Sequence, residues 1–316
     1  MSSPSALLGL DWGTTSFRAY RLDAAGAVLE AKSAPAGILR GPEGDFEGVF
    51  EHEIGPWLAA APGLPVLAAG MITSRQGWVE VPYCPCPAGS AEIAGALWRH
   101  ETGAGRIIHF VPGLSIIGAD GVPDVIRGEE TQIIGAVGGA IGGEVGAARG
   151  RRLLVLPGTH SKWALVEDGR LVWFATFMTG ELFAVLKEHS ILGRLMAGGR
   201  DDAAAFRRGL VYARGRGGGL LRRLFSARTL GLFGELPASG IGSYLSGLLI
   251  GTELREAFDC LAQPPLDQEI TVVGGADLCA RYLAAIEEAG LRGRRAADDA
   301  GARGLFLIAR AAGLIR

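Results

Sequence analysis

An apolar strand that ends on a single carboxylate forms the first candidate site of the chain. The strand occupies Leu7–Asp11. The turn that follows contains Gly13, Thr14, Thr15 and Ser16. Backbone N–H groups in such a turn can bind phosphate oxygens, and Mg²⁺ usually needs only one or two protein carboxylates beside phosphate and water. The pattern therefore indicates a metal-bound phosphate with Asp11 at the cation, unless Asp11 only stabilises the turn.

A second turn of the same design follows at a fixed offset of 145 residues, the separation of Gly13 and Gly158. Its residues are Gly158, Thr159, His160 and Ser161. The Gly, Thr, Ser and Ala at positions 13, 14, 16 and 19 recur at 158, 159, 161 and 164. Asp11 corresponds to Leu156, so only the first turn offers a carboxylate. We interpret the repeat as a duplication in which two turns hold one polyphosphate.

A third candidate site is the pair Gly274 and Gly275, which follows the apolar stretch Ile270–Val273. A strand that enters two glycines and then a helix lets a nucleotide approach the backbone closely. Many α/β proteins use the same pattern only to make a tight turn. Taken alone, the pair is therefore a weak indication of a nucleotide site.

Short strands and amphipathic helices must position these three turns. Strands are predicted at Leu7–Asp11, Phe17–Leu22, Ala27–Lys32, Pro65–Ala69, Arg106–Val111, Arg152–Leu156, Lys162–Glu167, Leu171–Thr176 and Ile270–Val273. Helices are predicted at Glu47–Leu58, Glu129–Val137, Glu181–Glu188, Ala203–Arg214, Gly219–Phe225, Ile241–Cys260, from Gly275 to Glu288, and at Ala300–Leu314. The Gly-rich segment 138–150 is predicted to be a boundary.

The composition excludes several classes of protein. A chain of 316 residues exceeds the usual single core and predicts two domains. The 48% of hydrophobic residues and 20% of charged residues are typical of a globular protein, and the net charge of -2 argues against a nucleic-acid partner. Four cysteines without zinc-ligand spacing predict ordinary thiols in a reducing cytoplasm. Neither a secretory signal nor a membrane-spanning segment is expected.

The three turns in this order resemble the sugar kinase/Hsp70/actin superfamily. The segments LDWGTTSFRAY, VIRGEETQIIGA, LPGTHSKW, MTGELF, LSGLLIGTE and VVGGADLCARY look like the 2-dehydro-3-deoxygalactonokinase family over nearly the whole chain. The resemblance implies an α/β fold of two duplicated ribonuclease-H-like domains, the actin-like ATPase/sugar kinase fold, with an interdomain cleft. We expect an N-terminal domain at 1–140 that binds the sugar and carries the first phosphate turn, and a C-terminal nucleotide-binding domain at 141–316. The resemblance also implies ATP and Mg²⁺, and transfer of phosphate to the 6-hydroxyl of 2-dehydro-3-deoxy-D-galactonate.

The resemblance further implies a carboxylate base at the helix that precedes the second turn. Glu129 directly follows Gly128 and is the preferred base, with Glu130 and Asp124 as alternatives. Two glutamates in a first helical turn would also favour the helix dipole without any chemistry. Arg127 could neutralise the transferred phosphoryl group or hold the sugar acid.

An acidic substrate needs a fixed cation. Arg75 lies in a loop after a predicted buried strand and could make a bidentate pair with the substrate carboxylate. The other residues predicted to shape the sugar pocket are Ser74, Trp78, Tyr83 and Glu181. An exposed loop arginine without a ligand is the alternative for Arg75.

Two rival functions stay open at this stage. One is a kinase for another sugar or sugar acid, because no residue spacing selects between C4 epimers. The other is an actin-like ATPase that regulates a partner and transfers nothing to a sugar. A homodimer is compatible with either reading.

Overall fold

A computed structural model describes residues 4–40, 44–138, 150–198, 201–215, 217–261 and 269–315. The first half contains, in order, β1 (Ser5–Trp12), β2 (Phe17–Asp23), β3 (Val28–Ala34), α1 (Phe46–Ala60), β4 (Val66–Ala69), β5 (Cys84–Pro85), α2 (Ser90–Gly95), β6 (Trp98–Glu101), β7 (Ile107–Phe110), β8 (Leu114–Ile117), β9 (Pro123–Ile126) and α3 (Glu129–Val137). The second half contains β10 (Arg151–Leu156), β11 (Ser161–Glu167), β12 (Arg170–Phe177), α4 (Thr179–His189), α5 (Ala203–Arg214), α6 (Leu220–Leu224), α7 (Ser226–Leu232), α8 (Ile241–Cys260), β13 (Ile270–Val272), α9 (Ala276–Glu288), β14 (Gly293–Arg295) and α10 (Ala300–Ala311).

The first sheet has the strand order β3-β2-β1-β4-β7-β6. β1 is antiparallel to β2 and parallel to β4, and β4 is parallel to β7. Asp11 pairs in register with Arg18 on one side and with Ala69 on the other. Because parallel strands end at the same edge, Asp11 and the loop after β4 emerge together, the usual position of a ligand site in such sheets.

The second sheet repeats this arrangement with the order β12-β11-β10-β13-β14. β13 is parallel to both β10 and β14. The turns that join β10 to β11 and β11 to β12 are too short for anything but antiparallel neighbours. Both sheets thus contain three antiparallel strands beside a parallel pair, and the first sheet has one further edge strand, β6, antiparallel to β7. The expected duplicated α/β fold is confirmed.

A small third sheet with the order β5-β8-β9 was not predicted from the sequence. β8 is parallel to β5 and antiparallel to β9. β9 leads directly into α3, so this sheet fixes where the α3 N-terminus begins. No disulfide joins the cysteines of the described segments, and none of the helices placed there has the length and apolarity needed to cross a membrane.

The chain packs into two compact units. The first comprises residues 1–151, 164–174 and 297–316, and the second comprises 152–163 and 175–296. This division differs from the expected halves 1–140 and 141–316 in two places. Residues 164–174 group with the first unit, and so does the C-terminal segment, because α10 packs against α3 and β1. A Cβ built on Gly135 would lie 1.8 Å from the Ala300 carbonyl oxygen, so the α3–α10 crossing is very close. Residues 139–149 of the predicted boundary lie outside the described residues.

Candidate active site

Asp11 is a largely buried carboxylate at the end of β1. Its side chain is 17% exposed, and its Oδ2 lies 3.6 Å from Nη1 of the exposed Arg18. Burial raises the pKa of Asp11 above its ordinary value, the charge of Arg18 lowers it, and the charge of Glu129 raises it further. The negative charges of Asp11 and Glu129 therefore repel each other, and a cation bound nearby would reduce that repulsion.

The turn after Asp11 is held by its backbone. The Gly13 N–H donates to the Ser16 carbonyl at 2.9 Å, and the Gly13 and Thr14 carbonyls accept from Ile38 and Leu39. Thr14 and Thr15 are exposed. The turn is thus a fixed backbone loop with exposed threonines beside a carboxylate, as expected for a phosphate-binding turn.

Two glycines let α3 begin beside the edge of the first sheet. Gly70, after β4, has φ +97°, and Gly128, before α3, has φ +106°. A Cβ on Gly128 would lie 3.2 Å from the α-carbon of Gly70, and a Cβ on Gly70 would lie 2.7 Å from the Trp12 carbonyl oxygen. A side chain at either position would be strained and crowded. This close approach places Glu129, the first residue of α3, near the end of β1.

Glu129 and Glu130 have different surroundings. The Glu129 carboxylate accepts the Arg127 N–H at 2.9 Å, and its residue is partly exposed. Glu130 is 1% exposed and accepts the Gly128 N–H at 2.6 Å, while its Oε1 has no hydrogen-bond partner in the described part of the chain. Burial, with the charge of Glu129, raises the pKa of Glu130 to about 8. Asp124, the third candidate base, lies on β9 and accepts the Val125 N–H.

The side chain of Arg127 is held by contacts with other residues of the protein. Its Nη1 donates to the Thr73 carbonyl and to Thr73 Oγ1, at 2.6 and 2.5 Å, and its Nη2 donates to the Val81 carbonyl at 3.0 Å. The guanidinium also stacks on Tyr83, 4.3 Å from the ring centroid. These contacts join Arg127, two residues before the start of α3, to the loop after β4, so the geometry supports a structural role for Arg127 more than the predicted contact with a phosphoryl group.

The four residues after β4 that are predicted to shape the sugar pocket have four different surroundings. Arg75 is exposed and has no ion-pair or hydrogen-bond partner among the described residues, so its guanidinium can bind a ligand. Ser74 is buried, and its hydroxyl donates to the Met71 carbonyl at 2.7 Å. Trp78 packs edge-on against Trp12 and other aromatic rings of the core. Tyr83 is 41% exposed under Arg127.

The second turn is fixed to the start of α4. The Glu181 N–H donates to the Thr159 carbonyl at 2.9 Å, and a Cβ on Gly180 would lie 2.3 Å from the Gly158 carbonyl oxygen. The Glu181 carboxylate lies 2.5 Å from Nε2 of His160, so it is paired within the turn region. This contact does not support the predicted role of Glu181 at a sugar hydroxyl.

Ser161 does not present its hydroxyl at the second turn. The residue is fully buried, and its Oγ donates to Glu253 at 2.7 Å. If Ser161 binds phosphate as predicted, it can therefore do so only through its backbone groups. Glu253 was present in the segment LSGLLIGTE, but nothing in its spacing indicated that it would bind the second turn.

A cavity of about 540 Å³ adjoins the second turn within the second unit. Residues of the turn, α4, α8 and α9 line it, among them Gly158, Thr179, Gly242, Ser246, Arg281 and Tyr282. Gly274 and Gly275 are exposed between β13 and α9, and the Gly274 carbonyl accepts from Arg295 at 3.1 Å. Gly274 and Gly275 thus lead into α9, which forms part of the wall of a cavity large enough for a ligand.

Comparisons with known proteins show the family of the chain. The family model described as 2-keto-3-deoxy-galactonokinase matches residues 11–308. A protein of Rhizobium meliloti (strain 1021) named for 2-dehydro-3-deoxygalactonokinase activity is 36% identical over 98% of this chain and 99% of its own. The 2-dehydro-3-deoxygalactonokinase of Escherichia coli (strain K12) is 34% identical over 90% of each chain. A crystal structure from Sinorhizobium meliloti, titled for the same activity, is 35% identical with a TM-score of 0.85 over 96% of this chain and 98% of that one.

Proposed function

Because the chain belongs to the 2-keto-3-deoxy-galactonokinase family, we propose that it transfers the γ-phosphoryl group of ATP to the 6-hydroxyl of 2-dehydro-3-deoxy-D-galactonate. The observation that carries the proposal is the close approach of Gly128 to Gly70, which starts α3, with Glu129, beside the strand end that carries Asp11. A kinase needs one acid for the metal-bound phosphate and another for the hydroxyl proton.

Asp11 fits a Mg²⁺ site. It is a single, largely buried carboxylate next to a phosphate-type turn, and the described residues contain no cluster of three or more His, Cys, Asp or Glu side chains for a protein-only metal site. Mg²⁺ is commonly held in this way, by one or two carboxylates together with phosphate oxygens and water. When bound, the cation would neutralise charge on the phosphates.

Glu129 is the base of the proposed reaction. The substrate O6 attacks the γ-phosphorus, its proton passes to the Glu129 carboxylate, and the bond to the bridging oxygen of ADP breaks. Glu130 is buried, and its raised pKa keeps it protonated at neutral pH, so it is a poor proton acceptor. Arg127 holds the start of α3 in place through Thr73 and Val81.

The second turn and the cavity beside it, both in the second unit, form the proposed nucleotide site. Backbone N–H groups of residues 13–16 and 158–161 would bind phosphate oxygens. The cavity beside Gly158 would receive the nucleoside, with the Gly274–Gly275 turn at the start of α9. Arg75, exposed and without a partner in the described segments, would pair with the carboxylate of the sugar acid.

A substrate panel with coupled detection of ADP tests the activity. ADP release should depend on 2-dehydro-3-deoxy-D-galactonate, and the C4 epimer, plain hexoses and other sugar acids should support slower turnover. ADP release that ignores every sugar acid would instead indicate the regulatory ATPase.

A pair of charge-removing variants tests the base. Glu129→Gln should lower kcat by about 10²–10⁴-fold while ATP and the sugar acid still bind. Glu130→Gln should keep most of kcat, since an amide replaces an acid that is already neutral. If Glu130→Gln were the inactive variant, or if both variants turned over normally, Glu129 would not be the base.

A further inference from the structure

A buried carboxylate in the middle of α8 connects the walls of the cavity. Glu253 is 2% exposed. Its Oε1 accepts hydrogen bonds from Ser161 Oγ at 2.7 Å and from Trp163 Nε1 at 2.8 Å, and its Oε2 accepts from the Tyr282 hydroxyl at 2.6 Å. The Thr179 hydroxyl is a further partner. A carboxylate has about four acceptor sites, so these four donors satisfy it.

The donors come from three elements around the proposed nucleotide site. Ser161 and Trp163 begin β11, directly after the second turn. Thr179 is the first residue of α4 and precedes Gly180, which packs on the Gly158 carbonyl. Tyr282 is on α9, and it lines the cavity together with Thr179 and Gly158. Three of the elements around the turn, β11, α4 and α9, therefore have hydrogen bonds to the same carboxylate.

This arrangement is unusual for a buried acid. Removal of a carboxylate from water is costly unless hydrogen bonds replace its hydration. Burial raises the pKa of Glu253, and the four hydrogen bonds lower it. None of these four partners is a Lys, Arg or His. The group is thus held by neutral donors, and each donor lost would leave part of a buried carboxylate unsatisfied.

We propose that Glu253 is a positioning residue that fixes the second turn, residues 158–161, against α4, α8 and α9. In this proposal the Ser161 hydroxyl supports ATP binding through Glu253 and does not touch a phosphate. The proposal rests on the assignment of the second turn and its cavity to ATP. It adds a residue outside both turns to the set that determines nucleotide affinity.

A double-mutant cycle with Mg²⁺ and ATP tests the proposal. Glu253→Gln should weaken ATP binding at least about tenfold, and the KM for the sugar acid should change less than twofold. Ser161→Ala should weaken ATP binding in the wild-type background and have no further effect in the Glu253→Gln background. Glu256→Gln, an exposed change on the same helix, is the matched control.

Two readouts separate positioning from a general loss of structure. The indole N–H resonance of Trp163 should shift in Glu253→Gln and in Ser161→Ala, because both variants alter the acceptor of that N–H. Equal losses of ATP and sugar-acid affinity, or an equal effect of Ser161→Ala in both backgrounds, would overturn the proposal. If Glu253→Gln does not fold, Ser161→Ala alone decides: a weaker ATP affinity without a shift of the indole resonance would contradict it.

Failure of the proposed function gives a different result. ATP binding by the wild type is measured directly, independently of any sugar. A wild type that binds ATP and transfers nothing to the sugar acid would refute the substrate, and the cycle for Glu253 would still be informative. A wild type with no affinity for ATP would refute both.

Discussion

At the scale of single residues, Asp11 is the group on which the proposed metal site depends. Asp11→Asn keeps the shape of the side chain and removes its charge. We expect kcat to fall by at least about 100-fold, as for the loss of a major electrostatic contact in an active site. Glu30→Gln, an exposed change on β3 of the same sheet, should leave kcat unchanged. Near-normal turnover of Asp11→Asn at saturating Mg²⁺ would remove Asp11 from the metal site.

Arg75 should affect only one of the two substrates. Arg75→Ala should raise the KM for the sugar acid, because the loss of a charged hydrogen-bonded pair costs about 2–5 kcal/mol. The KM for ATP should stay nearly unchanged. Arg99→Ala, an exposed change on edge strand β6 of the first sheet, is a control that should alter neither KM. An equal rise in the KM for both substrates would indicate that Arg75 supports the fold.

The raised pKa of Glu130 makes stability depend on pH. Between pH 4.5, its ordinary pKa, and about 8, the folded protein holds a proton that the unfolded chain has released. The free energy of unfolding should therefore fall as the pH rises through this window, by about 1 kcal/mol per pH unit, and then level off. Glu130→Gln should abolish this component. Denaturant unfolding of both proteins from pH 5 to 8.5 measures it, and parallel curves would show that Glu130 is ionised when folded.

The sequence indicated which residues belong to the candidate turns and helix start, but it did not determine what each side chain contacts. It preferred Glu129 because that residue directly follows Gly128, but it could not show that Glu130 would be buried, since burial is set by contacts with distant segments. It assigned the Ser161 hydroxyl to phosphate because the turn repeats Ser16. The acceptor that takes that hydroxyl, Glu253, lies 92 residues further along the chain.

At the scale of elements, the close crossing of α3 and α10 positions the proposed base. Gly135→Ala would place a Cβ 1.8 Å from the Ala300 carbonyl oxygen. We expect a destabilisation of about 1–3 kcal/mol, despite the better helix propensity of alanine. The kcat should also fall, because α3 begins with Glu129. Thermal unfolding and steady-state kinetics measure the two effects.

The matched control for this crossing is Gly301→Ala on α10. Its Cβ would lie 3.8 Å from the Gln132 side chain, an ordinary contact. Stability should therefore be unchanged or slightly higher. If Gly135→Ala were as stable as Gly301→Ala, the crossing would be looser than the structure shows.

The elements missed by the sequence analysis are the short ones. β5 has two residues and β14 has three, two of them arginines, so neither presents the alternating pattern by which strands are recognised. β8 and β9 have four residues each and leave Ile117 and Val125 exposed. Longer elements with a buried face, such as β1 and α8, were predicted because their burial follows from their own sequence.

At the scale of the whole molecule, the repeat recognised in two turns extends to five strands of each sheet, and the first sheet has β6 in addition. The order of three antiparallel strands beside two parallel ones is the same in both. The sequence did not predict that the last helix returns to the first unit, because the partner of an amphipathic helix is set by contacts between distant segments. α10 buries Leu305 and Ile308, but neither residue specifies α3 as the surface that it covers.

ATP and the sugar acid are proposed to bind different segments, so each ligand should protect a different set of amides from hydrogen exchange. A non-hydrolysable ATP analogue with Mg²⁺ should protect amides at 13–16, 158–161 and 274–278, where backbone groups are expected to bind the nucleotide. The sugar acid alone should protect 71–83 and the start of α3. β3, whose residues are mostly exposed and have no proposed ligand, is the internal control. Exchange measured with one ligand at a time avoids effects that need both. Protection of 274–278 by the sugar acid alone would contradict the assignment of the nucleotide to the second unit.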